Sequence, residues 1–461
     1  MTGSERMSGV VDLCIGSNVP PEIPAPPCSE DAIVDAFANA EQDRCRFVPS
    51  SGHWMVWTGT HWRHDETGLI IERIRRVCRA VADPLEDKTL KRRIASMRTI
   101  NAVERLARTD LRFATPSDSW DRGDMVLNTP AGVVDLRTGE LGIHSPDDLI
   151  SRMTTASPRG MCPGWRRFLS DVTDGNQALI AYLQRVAGYC LTGSMKAHVF
   201  FFLHGPGANG KSVFLTVLSE VLGGYAMTAP LDTFVRNRGT RHPTDLAGLA
   251  KARLVTVTET EPGRQWSESR IKAITGGDTL RVRHLYRDFF EVRPTFKIVM
   301  AGNARPRIDG VGEAMRRRLH LIPFDVTIPD NRRDPDLIDR LLTERDGILV
   351  WMIEGCLEWQ ARGLNPPPEV TEAAAAYLAE EDLVGQWIGE RCIVSANASA
   401  AGADLYGDWS KWADIHGHEA GTGRAFGEAL GARGFSRIRT AASRGWSGIA
   451  LCQTADDRSA S

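Results

Sequence analysis

The stretch Phe200-Phe201-Phe202-Leu203-His204-Gly205-Pro206-Gly207-Ala208-Asn209-Gly210-Lys211-Ser212 decides the fold. An apolar run ends in G-x-x-x-x-G-K-S, and Val213-Phe214-Leu215-Thr216-Val217-Leu218 follows. The order reads as strand, glycine loop, helix. Glycines let backbone N–H groups turn toward a polyphosphate, and the helix N-terminus adds partial positive charge. The motif predicts a nucleotide cradle made by Gly205, Pro206, Gly207, Ala208, Asn209, Gly210, Lys211 and Ser212. Lys211 would reach the β- and γ-phosphates of ATP, and the Ser212 hydroxyl would hold Mg²⁺.

Hydrolysis needs an acidic site on a neighbouring strand. The alternating run 253–258 ends in Glu259-Thr260-Glu261 and supplies two carboxylates. One is expected to hold the Mg²⁺ shell (Glu259), the other to polarise the attacking water (Glu261). A further apolar strand, 295–302, ends at Asn303. Set between the loop strand and the acidic strand, Asn303 would sense the γ-phosphate; the alternative is a plain Gly-Asn turn. Arg316-Arg317-Arg318 precede another strand, and Arg317 or Arg318 would reach a neighbouring subunit's phosphate. Between the acids and Asn303, residues 272–292 alternate and turn near Arg287-Asp288, which predicts a β-hairpin. Lys272, Arg281, Arg283, His284 and Arg287 on it would grip the phosphates of a single strand.

The 461 residues suffice for several domains and a large core. Lysine and arginine total 56 against 58 acids, so nucleic-acid binding must come from local basic surfaces. Nine scattered cysteines form no C-x-x-C pair, which argues against a zinc ribbon and suits a reducing cytosol. No signal peptide and no apolar run of membrane-spanning length is read, so a cytoplasmic protein without membrane contact is expected.

Residues 1–28, rich in Pro, Gly and Ser, read as a mobile arm. Short strands are expected around Phe47, Trp54–Trp57 and Trp62, with the tryptophans as core aromatics rather than base-stacking platforms. Helices with Arg-rich, solvated faces follow over 67–113, then two short strands around a turn within 128–139. Beyond the central α/β region, helices are expected at 338–342, 347–362 and 369–391, and a loop at 395–403. Residues 404–454 read helix, helix, β-hairpin, the order of a winged helix. Between 424 and 446 five arginines face one acid, and Arg437, Arg439 and Arg444 are candidate DNA contacts.

The order G-P-G-A-N-G-K-S, acidic strand, K-A-I-T-G-G-D-T-L-R-V-R, F-K-I-V-M-A-G-N, R-R-R-L-H-L-I-P-F resembles superfamily 3 helicases of the phage and plasmid primase–helicase type, related to the poxvirus helicase–primase. The resemblance is strong over 165–325. It implies an AAA+-like P-loop domain with a central, mainly parallel sheet, preceded by an α+β domain and followed by a helical segment and a winged helix. The expected bounds are 29–160, 161–326, 327–394 and 404–455. It further implies a homohexameric ring moving 3′→5′ on single-stranded DNA, acting at forks in the replication of a phage, prophage or plasmid-like element. Two departures stand out. The acids are Glu-Thr-Glu rather than adjacent, and 1–150 shows no acidic metal triad for a primase, so priming would fall to a separate partner. The alternative is a replication initiator that binds DNA and uses ATP only as an assembly switch.

Overall fold

A computed structural model of the chain describes residues 23–236, 244–258, 264–283, 289–308, 313–439 and 444–452. Most of the expected arm, 1–22, lies outside them. The chain divides between Trp120 and Asp121 into two compact units.

In the first unit, Ser29 caps helix α1 (Glu30–Glu41), its Oγ accepting the Ala32 N–H at 3.1 Å. Strands β1 (Cys45–Val48), β2 (His53–Trp57) and β3 (Trp62–His64) form an antiparallel sheet in that order. Helices α2 (Leu69–Ala82), α3 (Lys88–Ile94) and α4 (Met97–Ala107) follow. Helix α2 buries Ile70, Ile74, Cys78 and Ala82, one stripe at a four-residue repeat. Trp54 packs against Phe37, Phe47 and Phe113, and its indole N–H donates to Glu104 at 2.7 Å. Trp62 is fully buried. Both are core residues.

The second unit begins with an antiparallel meander of three strands, β4 (Val126–Thr129), β5 (Gly132–Asp135) and β6 (Glu140–Gly142). The sequence had suggested two; β6 is wholly exposed and carries no hydrophobic signal. This segment, grouped from sequence with the N-terminal domain, belongs to the second unit. Next come α5 (Pro163–Val172), α6 (Gln177–Cys190), β7 (Phe200–His204), α7 (Lys211–Leu222), β8 (Ala226–Thr228), α8 (Thr244–Ala247) and β9 (Leu254–Thr258). They lead to α9 (Glu268–Gly276), the antiparallel pair β10 (Leu280–Arg283) and β11 (Phe289–Val292), β12 (Lys297–Gly302), α10 (Glu313–Arg316) and β13 (Leu319–Pro323).

Five of these strands make one sheet, in the order β13-β7-β12-β9-β8, with every pair parallel. Parallel sheets are covered on both faces, so their strands read as continuous apolar runs rather than alternating ones. Along β7, Phe201 and Leu203 enter a layer with residues of α5, α6, α7 and α12 (Arg345–Arg362). Phe200 and Phe202 enter the opposite layer with Trp266 and Tyr377. Helices α6 and α12 cross at two glycines. A Cβ on Gly188 would lie 2.1 Å from the Cys356 nitrogen, and one on Gly355 2.0 Å from the Gln184 oxygen.

Helix α11 (Leu337–Leu342) precedes α12, and α13 (Pro368–Glu381) and α14 (Leu383–Arg391) follow it. The single helix expected over 369–391 is therefore two, because Asp382 leaves the helix and caps α14 by accepting the Gly385 N–H at 2.9 Å. The loop expected at 395–403 is instead mostly strand β14 (Cys392–Ala401). Its small, exposed residues carry no strand pattern, and antiparallel pairing with β16 holds it, with a register shift between Val394 and Ser399. Helices α15 (Gly402–Ile415) and α16 (Gly423–Ala432) and strands β15 (Ser436–Arg439) and β16 (Arg444–Leu451) complete the described residues. Their sheet order is β14-β16-β15. Trp387 of α14 joins the core of this part with Trp409, Trp412, Phe426 and Trp446. No helix among the described residues is long and apolar enough to cross a membrane.

At the amino ends of β9 and β12 two cations are buried. Arg253 donates to the carbonyls of Leu191, Gly123 and Val126 and lies over Tyr225. Lys297 donates to Thr192 and Thr295 and lies 4.7 Å from the Tyr189 ring. Burial pushes the Lys297 ammonium down from 10.5 to about 7. Above that pH the folded chain releases a proton that the unfolded chain keeps, so stability rises with pH, by at most ~1.4 kcal/mol per unit. The buried thiols act oppositely, Cys45, Cys190, Cys356 and Cys392 raised to about 12 and Cys78 and Cys162 also raised, and together they cancel the gain as unfolded thiols titrate above about pH 8. The thermal midpoint should therefore climb between about pH 7 and 8, and Lys297→Met should remove that climb. A wild-type midpoint flat over this window in a scan at fixed ionic strength would refute the assignment.

Candidate functional site

The carboxyl ends of four parallel strands meet in register. Gly302 of β12 and Pro323 of β13 both lie beside His204 of β7, and Ala301 lies beside Thr258 of β9. Asn303 thus leaves the sheet on the strand between the glycine loop and the acidic run, as its place in the sequence implied. Ligands of open α/β sheets bind at this edge.

The loop is shaped by close contacts. Gly205 has φ +153°, and a Cβ there would lie 2.1 Å from the Phe324 oxygen. Gly210 has φ +85°, and a Cβ would meet Val172 at 2.6 Å. Ala208 takes a left-handed φ of 57° without being glycine. Pro206, Gly207 and Ala208 are exposed, whereas Asn209 is 2% exposed. The chain after β13 straps the loop in place. The Phe324 N–H donates to His204 O at 2.7 Å, and the Ile328 N–H to Ala208 O at 2.8 Å. Asn209 Nδ2 donates to Phe324 O at 2.6 Å.

Lys211, 5% exposed, opens α7. Its Nζ lies 2.8 Å from Gly205 O, 3.1 Å from Pro206 O, 2.8 Å from Asn209 Oδ1 and 3.0 Å from Asn303 Oδ1. An ammonium has three donors, so these four oxygens share them. Burial holds its pKa below the usual lysine value. Among the described residues no carboxylate pairs with it, so its charge is solvated by neutral oxygens and open to an anion. Ser212 is exposed in the first helical turn. His204 is half-buried; burial, then Arg305, lower its pKa.

Glu259 and Glu261 lie outside the described residues, directly after β9. No cluster of three metal-binding side chains occurs among the described ones. Arg317 is exposed and Arg318 half-buried. Arg318 Nε donates to Thr275 Oγ1 at 3.1 Å and Nη1 to Ala314 O at 2.9 Å. Both arginines precede β13, at the amino edge of the sheet. The five-residue strand separates them from the loop by ~16 Å.

The hairpin expected over 272–292 is narrower: only β10 and β11 pair, with Arg283 opposite Phe289, and 272–276 belong to helix α9 because the glycine pair Gly276-Gly277 ends a helix there. Arg281 and Arg283 each sit 5.0 Å over the Phe289 ring. His284 and Arg287 lie outside the described residues. Lys272, on α9, pairs with Glu268 at 3.1 Å. Arg437, Arg439 and Arg444 are exposed on β15 and β16; Arg439 lies opposite Arg444, and Arg437 lies over Trp446.

Two features escaped the sequence reading. A cleft of about 800 Å³ adjoins Ala208 and Gly210, walled by Phe168, Val172, Ile328 and Leu337 and rimmed by Arg167, Arg332 and Arg333. Its walls come from segments far apart in sequence, so no motif marks it. The second is the tie that the Asn209 side chain makes between the loop and the strap; the motif placed Asn209 in the cradle without marking that role.

A parallel five-stranded sheet with a glycine loop and a buried, carbonyl-solvated lysine at its carboxyl edge defines an α/β protein. Residues 30–174 match the family described as D5 N terminal like, and residues 203–318 match a family of unknown function (DUF5906). The chain is 24% identical over 327 residues to "Putative helicase L207/L206" of Acanthamoeba polyphaga mimivirus, covering 63% of this chain and 33% of that protein. It is 27% identical over 260 residues to "Putative helicase 022R" of Frog virus 3 (isolate Goorha), covering 51% and 27%. The matched part is thus about a third of those relatives' length or less. The apo A form of the NrS-1 C-terminal region aligns at 10% identity over 88% of this chain and 96% of that one, with a TM-score of 0.44, a likeness too loose to bear on the fold. By the D5-like match over 30–174 and the viral relatives, the chain is similar to putative helicases of large DNA viruses, in line with the primase–helicase type that its motif order resembles.

Asn209→Ala should strand the buried Phe324 carbonyl and remove one acceptor from Lys211, costing about 1–3 kcal/mol. Equilibrium denaturation would measure it; a loss below ~0.5 kcal/mol would show that water replaces the amide.

Proposed function

We propose that the chain is an ATP-dependent DNA helicase of the superfamily 3 type, working in replication of a phage, viral or plasmid-like element. The observation that carries this is the bond between Lys211 Nζ, on the helix that follows β7, and Asn303 Oδ1, at the tip of the adjacent parallel strand β12. It brings a phosphate-binding cation and a polar amide to one point, with the acid-ended β9 next in the sheet. Incoming phosphates would take over bonds that Lys211 now makes to loop carbonyls, and the backbone N–H groups at the start of α7 would add to the cradle. The Ser212 hydroxyl, exposed beside them, fits a Mg²⁺ ligand, and the ion would neutralise charge developing on the phosphates. Asn303 and a carboxylate from Glu259 or Glu261 would orient the attacking water. The cleft beside Ala208 and Gly210, with apolar walls and a charged rim, would take the nucleoside.

Arg317 and Arg318 sit too far along β13 to serve the loop of their own chain, which supports service to a neighbouring copy and hence a ring, taken as a hexamer. The basic hairpins β10–β11 and β15–β16 would hold single-stranded and forked DNA; the second, with α15 and α16, is read as a winged helix.

The test is ATP hydrolysis with and without single-stranded DNA, beside strand displacement on a fork. Lys211→Ala should cut turnover by about a hundredfold or more and abolish displacement. Arg281→Ala with Arg283→Ala should abolish the DNA stimulation while basal hydrolysis persists. Displacement by the Lys211 variant would sink the assignment. DNA binding with hydrolysis but no displacement by the wild type would favour an ATP-switched initiator.

A further inference from the structure

Helix α13 ends in Glu380-Glu381-Asp382, three acids where the helix dipole favours cations and where no basic residue stands in the last turn. Each acid has a partner outside the helix, and two of the partners lie on the loop that follows Asn303. Glu380 Oε2 accepts from Arg305 at 2.7 Å, and that guanidinium lies 5.0 Å over Tyr377. Glu381 Oε2 accepts the Ile308 N–H at 3.0 Å. Between them the Tyr377 hydroxyl donates to Pro306 O and accepts the Trp266 indole N–H at 3.2 Å. On its other side the same loop pairs with the chain emerging from the acidic run. The Trp266 N–H donates to Arg307 O at 3.0 Å, and the Arg307 N–H to Arg264 O at 2.7 Å. The backbone from Asn303 to Ile308 is thus held from both sides. The third acid, Asp382, pairs with Arg433 at the end of α16.

We propose that Arg305, Glu380 and Glu381 are positioning residues of the hydrolytic site, acting through Asn303. The inference rests on the nucleotide-hydrolysis reading and deepens it. The acids are unfavourable for α13 itself, and the exposed Arg305–Glu380 pair adds little to overall stability. What the pair fixes is the direction in which the chain leaves β12, and with it the Asn303 amide 3.0 Å from Lys211 Nζ. Small displacements of a positioned group cost far more in rate than in folding. Through Asp382 the same turn joins this loop to the part of the chain that carries Arg437, Arg439 and Arg444.

The experiment compares Arg305→Glu, Glu380→Arg and the double exchange with wild type in the full chain, with Glu380→Gln as a milder variant. Each single exchange should lower the turnover number by about tenfold or more, while the affinity for a non-hydrolysable ATP analogue stays within about threefold. The double exchange should recover most of the lost turnover, which a merely structural contact would not require. Single exchanges, or Glu380→Gln where those do not fold, that hydrolyse at the wild-type rate overturn the proposal. So does a folded double exchange no faster than the singles. Undiminished hydrolysis by Lys211→Ala in the same assay would instead overturn the nucleotide reading beneath it.

Discussion

An ammonium group with no carboxylate partner among the described residues organises the carboxyl edge of the central sheet. Lys211 is buried by its position at the start of α7, and its charge must be met by something. Backbone oxygens of Gly205 and Pro206 and the side-chain oxygens of Asn209 and Asn303 meet it. That requirement bends the loop inward, which brings Gly205 against Phe324 and forces the absence of a side chain there. It also sets the strand order at this edge, because Asn303 reaches Lys211 only if β12 lies next to β7. Solvation by neutral dipoles leaves the charge uncompensated, which is the condition a phosphate-binding lysine has to satisfy.

The opposite edge of the same strands solves a related problem differently. Arg253 and Lys297 are as deeply buried, yet they are enclosed by carbonyls of the segments entering the unit and by the faces of Tyr225 and Tyr189. They fix where β9 and β12 begin, with Lys297 beside Leu254, and so fix which residues arrive together five positions later. One edge uses buried cations to hold register; the other uses one to receive charge.

The second unit's sheet was legible because its residues are local signals of global constraints. Continuous apolar runs demand cover on both faces, and G-P-G-A-N-G-K-S has few folded uses. Asn303 was readable as a strand-end amide for the same reason. The strap 324–328, the cleft and Arg305 were not readable. Each depends on which distant segments pack together, and P-F-D-V-T-I or R-P-R-I has no pattern of its own. Strand β14 was misread because main-chain pairing, not side-chain character, makes it a strand. Helix α13 was run into α14 because a capping Asp inside an acidic cluster looks like a solvated face.

The basic elements share a local construction that bears on what they touch. Arg281 and Arg283 flank Phe289, and Arg437 lies over Trp446. A guanidinium held flat on a ring keeps its edge N–H groups directed outward, in the geometry that meets phosphate oxygens in pairs. Arg439 and Arg444 face each other across β15 and β16, a like-charged pair that weakens its own hairpin. In a chain whose net charge is −2, such a pair is not a consequence of overall basicity. An anion bridging the two would turn the repulsion into attraction.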